Sequence, residues 1–243
     1  KNNIKFTKDV LEFIIEEYTC EAGVRKLKEI LFEIIGEINL EFLKDDVMIP
    51  LPYELTRDDI KTKYLKNRET IKPKKIPKQS SVGVINGLWA NSLGRGGIIP
   101  IETNFIIAGN LLELKLTGMQ GDVMKESMSV AKTLAWKLTD KERKAELIEE
   151  FEKTKTQGIH IHCPDGATPK DGPSAGTAIT VTLYSLLNDR KIKNNVAITG
   201  EINLQGEVTA IGGLDLKILG GIQGGVKTFL FPVENEKDFK KFM

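Results

Sequence analysis

Residues 164–180 read PDGATPKDGPSAGTAIT, a run of proline, glycine and aspartate that turns abruptly into small apolar residues. Just before it, GIHIH (158–162) has the β-branched alternation of a short strand. Just after it, AGTAITVTLYSLLN (175–188) reads as a helix. Strand, stiffened loop and helix in that order belong to a sheet covered by helices. Ser174 stands at the junction, behind a glycine that gives backbone freedom and a proline that restricts the next step. Serine is also a favoured helix N-cap, so the position has a structural reading as well as a chemical one.

Outward from this stretch the pattern continues. VGVINGLW, GIIPIET, LLELKLT, VAIT, EVTAI and TFLFP are strand candidates. Helical runs lie between several of them, at DVMKESMSVAKTLAWKL, DKERKAELIEEFEK and LDLKILGG. The first third differs. TKDVLEFIIEEY, with Thr7 as N-cap, is followed by EAGVRKLKEILFEIIGEINLEFLK and TRDDIKTKYLK. In the longest of these, Leu27, Ile30, Leu31, Ile34, Ile35, Ile38 and Phe42 recur at helical spacing. NRETIKPKKIPKQSS interrupts the pattern with Pro73 and Pro77. The expected fold class is therefore α+β, with a small all-helical segment over 1–75 and a mixed-sheet α/β domain over 76–243.

Composition narrows the function classes. The chain has 243 residues, 40% hydrophobic and 28% charged, with a formal net charge of +1. These are the proportions of a soluble globular protein with no global field to recruit nucleic acid or an anionic membrane. KPKKIPK holds four lysines and reads as a solvated linker or as a nucleic-acid patch, and nothing else in the chain supports the second. Two distant cysteines, Cys20 and Cys163, form no disulfide framework and suit a reducing compartment. No apolar run spans a bilayer and no signal-peptide pattern opens the chain. Starting at Lys1 just before a helix, it is expected to be a fragment of something longer.

A general base is the next requirement, and only two histidines are present. His160 and His162 share one face of their strand candidate, with Cys163 on the other. A Ser/His/Asp triad would borrow one of them for Ser174, and otherwise both support the loop backbone. Zinc would need a third ligand that no second Cys/His cluster supplies, so no metal site is expected. The other route is a lysine, which accepts a proton only if its pKa falls well below the usual value of about 10.4. Lys217, in AIGGLDLKILGG, is a lone cation among apolar residues and glycines, though an exposed helix lysine would look the same. No Gly-Lys dipeptide occurs, which removes a P-loop.

DGATPKDGPSAG resembles the active-serine segment of the Lon family of ATP-dependent proteases, which use a Ser-Lys dyad. TGMQGDVMKES, ITGEINLQGEV and IGGLDLK resemble that family's other peptidase motifs in the same order, and YTCEAGVRKL is similar to the end of its ATPase lid. The resemblance implies Ser174 as nucleophile and Lys217 as general base. It implies Asp171 as a loop acid, Thr199 and Glu201 as support for the lysine, His160 and His162 as support beside the site, and Arg25 as a nucleotide sensor. Backbone amides at the helix start are expected to receive the oxyanion. The resemblance also implies a homo-hexamer acting on unfolded polypeptide, with ATP and Mg2+ serving the full-length protein, in the cytoplasm or the mitochondrial matrix. A catalytically silent assembly module would be expected to have lost Ser174 or Lys217, and both are present. GLWANSLGRGG departs from the family's usual GLAWT, and Cys20 stands where the family commonly has arginine.

Overall fold

A computed structural model describes residues 4–19, 23–44, 51–71, 74–92, 94–118, 121–164 and 172–242. The chain divides into two compact units, Lys1–Lys72 and Pro73–Met243.

The first unit is built from helices. Helix α1 (Lys8–Ile14) begins at Thr7, whose hydroxyl accepts the Val10 amide, and runs on as a π-helical turn, Ile15–Thr19. Helix α2 (Arg25–Phe42) buries Ile30, Ile34 and Ile38, an i, i+4, i+8 stripe. They pack with Phe13, Ile14, Leu55, Ile60 and Tyr64. The last helical piece, α3 (Arg57–Asp59) and the π turn Ile60–Tyr64, opens with a reciprocal capping box between Thr56 and Asp59. One small addition to the expected helices is a parallel pair of two-residue strands, β1 (Ile4–Lys5) and β2 (Tyr53–Glu54).

The second unit is a mixed sheet of six strands: β3 (Val84–Ala90), β4 (Gly96–Ile106), β5 (Leu114–Thr117), β6 (Gly158–His162), β7 (Val196–Ile198) and β10 (Thr228–Leu230). Their spatial order is β10-β7-β3-β4-β6-β5. The β3–β4 and β4–β6 pairs are antiparallel, and β10–β7, β7–β3 and β6–β5 are parallel. A separate short hairpin joins β8 (Glu201–Ile202) to β9 (Val208–Thr209). Helices α4 (Asp122–Leu138), α5 (Lys141–Thr154) and α6 (Gly176–Leu187) cover one face, closing on Ile85, Ile101, Ile159 and Ile161. The opposite face receives α7 (Leu214–Gly224), and α8 (Glu236–Phe242) ends the described chain, with Phe239 and Phe242 packed beside Leu214 and Ile218.

Alternation along the strands decides what each face carries. In β6, Ile159, Ile161 and then Cys163 enter the helix-covered core, so His160 and His162 point the other way. Helix α7 meets β4 backbone to backbone. A Cβ at Gly220 would lie 2.1 Å from the Gly96 carbonyl carbon, and one at Gly96 would lie 2.0 Å from the Leu216 carbonyl oxygen. That contact, possible only for glycine, sets the depth of Lys217 one residue after Leu216.

Candidate active site

Ser174 lies in a single 3-10 turn, Pro173–Ala175, that leads into α6. Gly172 before it has φ 122°, a value favourable only to glycine, so the reversal that presents the serine depends on that residue. Ser174 is half-buried.

Four hydrogen bonds staple this turn to the end of β7. The Gly200 amide donates to the Ser174 carbonyl at 2.8 Å and the Thr199 hydroxyl donates to it at 3.3 Å. In return, the Thr177 amide and hydroxyl donate to the Gly200 carbonyl at 3.0 and 2.9 Å. A Cβ at Gly200 would lie 2.6 Å from a Val208 methyl and 2.8 Å from the Thr177 hydroxyl, so a larger residue there would force one of these side chains to shift and disturb the staple.

Lys217 approaches from the other side. Helix α7 begins at Gly213, whose carbonyl accepts the Lys217 amide at 3.0 Å. The lysine is 4% exposed. Burial pushes its ammonium down to about 8, because a charge in apolar surroundings loses its hydration. Its Nζ donates to Thr199 Oγ1 at 3.2 Å. Thr199, 1% exposed, thus joins the lysine head to the Ser174 main chain through one hydroxyl.

The other expected residues fall in different places. Glu201 is exposed on β8, opposite Thr209, with no recorded bond to Lys217 among the described residues. His160 Nε2 and His162 Nδ1 lie 2.8 and 2.7 Å from Thr117 Oγ1, the last residue of β5. Neither has a recorded bond to Ser174 among the described residues. Arg25, at the start of α2, is exposed and paired with Glu29 at 3.2 Å. Asp171 and Cys20 lie outside the described residues. Cys163 is fully buried in the core. Trp89, 39% exposed on β3, lies over Gly97 of β4, where a Cβ would come within 2.9 Å of the indole.

Among the described residues no group of three or more His, Cys, Asp or Glu could hold a metal ion, and no helix is long and apolar enough to cross a membrane. The roles of Thr177, Gly200 and Thr117 escape a reading of the sequence, although the last two lie in quoted motifs, because short polar residues and glycines give no signal until the register of neighbouring strands is known. The amides at the head of α6 are partly committed, Gly176 to the Pro173 carbonyl and Thr177 to Gly200.

Residues 55–242 match the family model of the Lon protease (S16) C-terminal proteolytic domain, and residues 1–47 match that of the Lon protease AAA+ ATPase lid domain. The chain is 40% identical, over 98% of its length, to the Lon protease of Clostridium acetobutylicum, of which the match covers 29%. It is 35% identical over 99% of its length to a Lon protease homolog of Acanthamoeba polyphaga mimivirus, with 28% of that relative covered. With the Lon protease of Methanosphaera stadtmanae the identity is 36% over 98% of this chain and 27% of the relative. The chain thus spans less than a third of the length of these relatives.

Proposed function

Because the chain belongs to the Lon protease family, we propose that it is a serine endopeptidase that cuts polypeptide with Ser174 as nucleophile and Lys217 as general base. One observation carries the reading: a buried lysine, its pKa lowered to about 8, shares the Thr199 hydroxyl with the serine turn.

A neutral amine has two N–H bonds and one lone pair. Thr199 accepts from one N–H, which fixes the head group and leaves the lone pair to receive the Ser174 proton. At pH 7, one unit below its pKa, roughly a tenth of Lys217 is neutral. The Ser174 oxygen then attacks the peptide carbonyl, and negative charge develops on the carbonyl oxygen. The Ser174 amide has no recorded acceptor among the described residues and is the donor we assign to that oxygen. Protonated Lys217 returns its proton to the departing amine, which frees the lysine to activate the water that releases the acyl group. Arginine cannot replace it, because guanidinium does not give up its proton.

The helical segment is proposed as the end of an ATPase lid, with Arg25 as its nucleotide sensor. Arg25 would be a sensor without its site here: the chain has no Gly-Lys dipeptide to cradle phosphates, so ATP and Mg2+ would act through parts of a longer protein. When bound, they would supply the work of unfolding a substrate. A homo-hexamer fed with unfolded chain, in a reducing compartment, completes the proposal. Asp171 and Glu201 are proposed to adjust the serine loop and the lysine. A peptidyl β-lactone tests the nucleophile directly. Its acyl mass is expected on the peptide containing Ser174 and absent from Ser174→Ala; acylation elsewhere with Ser174 unmodified would overturn the assignment.

A further inference from the structure

Where β6 leaves the sheet on its way to Ser174, it is bound to β5 more heavily than a parallel pair requires. The Cys163 amide donates to the Thr117 carbonyl at 3.1 Å. Gly118, at φ 104°, lies so close that a Cβ there would fall 1.9 Å from the Cys163 carbonyl oxygen. Thr117 also places one hydroxyl oxygen 2.8 Å from His160 Nε2 and 2.7 Å from His162 Nδ1.

Proton counting constrains this last group. A hydroxyl carries one hydrogen and two lone pairs, so it can donate to only one of the two rings. At least one ring must therefore carry its proton on the nitrogen that faces Thr117. A single oxygen thus contacts both imidazoles, whose centroids lie 6.3 Å apart. Their neighbours across the sheet are Glu102 opposite His162 and Asn104 opposite His160 on β4, with Lys115 opposite His160 on β5. Burial, Lys115 and His162 hold the His160 pKa below the usual value, which favours its neutral form.

We propose that Thr117 is a positioning residue of the peptidase: its hydroxyl, shared by His160 and His162, fixes the chain at the exit of β6 and so the placement of the serine turn. The proposal rests on the peptidase reading above for its effect on rate, and on geometry alone for the clamp itself. It gives the two histidines a task that requires no contact with the reacting atoms.

The test compares Thr117→Val, which keeps the shape and removes the hydroxyl, with Thr117→Ser, which restores it. For an unstructured fluorogenic peptide, T117V is expected to lower kcat by about tenfold or more with KM nearly unchanged, since displaced reacting groups can cost ~100-fold. T117S is expected to stay within about threefold of the parent on the same ground. Amide hydrogen exchange at Cys163 and over 172–176 reads the clamp independently of catalysis. It should accelerate in T117V and match the parent in T117S. Parent-like exchange and parent-like kcat in T117V would overturn the proposal, as would equal losses in both variants. If the parent cleaves no peptide, the peptidase reading falls, and the exchange comparison still decides the clamp.

Discussion

Lys217 Nζ donates to Thr199 Oγ1 at 3.2 Å, and that same hydroxyl donates to the Ser174 carbonyl at 3.3 Å. The proposed catalytic pair is thus coupled through a third side chain, which orients the amine and anchors the turn together. Thr199→Val keeps the volume and removes both bonds. Its kcat is expected to fall by about 10- to 100-fold, in the range of lost acid–base positioning, while Thr199→Ser retains most of the rate. Steady-state hydrolysis of one peptide by the three proteins checks this.

The lowered pKa of Lys217 predicts the pH profile. The active form is the neutral amine, so the rate should rise through pH 8 and level off about one unit above it. Between pH 7 and pH 9 the neutral fraction increases about tenfold. A profile flat across this range would point to a different base.

A lysine that gives up its proton more readily when folded also makes stability depend on pH. Between about 8 and the ordinary lysine value of 10.5, the unfolded chain holds a proton that the folded one has released, so stability rises with pH in that window. Below it the buried charge costs about 3 kcal/mol, at about 1.36 kcal/mol for each pH unit between the two values. Lys217→Met removes the charge and should raise stability at pH 7 by about 1–3 kcal/mol while abolishing hydrolysis. The gain should vanish above pH 10.5, which urea denaturation at two pH values would detect.

Gly220 and Gly96 set α7 against the sheet, and a Cβ at Gly220 would lie 2.1 Å from the Gly96 backbone. Gly220→Ala must therefore push the helix outward. A loss of about 1–3 kcal/mol is expected from overpacking, with reduced hydrolysis because Lys217 moves with the helix. The urea midpoint and the peptide assay report the two effects separately.

Much of the framework is legible in residue patterns because local signals are strong. The Thr7 cap and the bounds of α4, Asp122–Leu138, follow from a favoured capping residue and a long amphipathic run. Strand β6 coincides with GIHIH because turn residues bound it on one side. EVTAI yields only Val208–Thr209, since its partner β8 offers two residues for pairing. Helix α8 carries few apolar residues and so gives no periodic signal. At the site, Ser174 and Lys217 stand out through resemblance to a family, and Lys217 also by its apolar setting. Thr117 opens the motif TGMQGDVMKES, but its two histidine contacts depend on the β5–β6 register and give no signal in the sequence.

The most direct measurement compares hydrolysis of an unstructured fluorogenic peptide library by the parent chain, Ser174→Ala, Lys217→Ala and Lys217→Arg. The account predicts cleavage by the parent and none by the three variants, with Lys217→Arg folded by circular dichroism yet inactive. Near-normal cleavage by Lys217→Arg, or cleavage that survives Ser174→Ala, would contradict it.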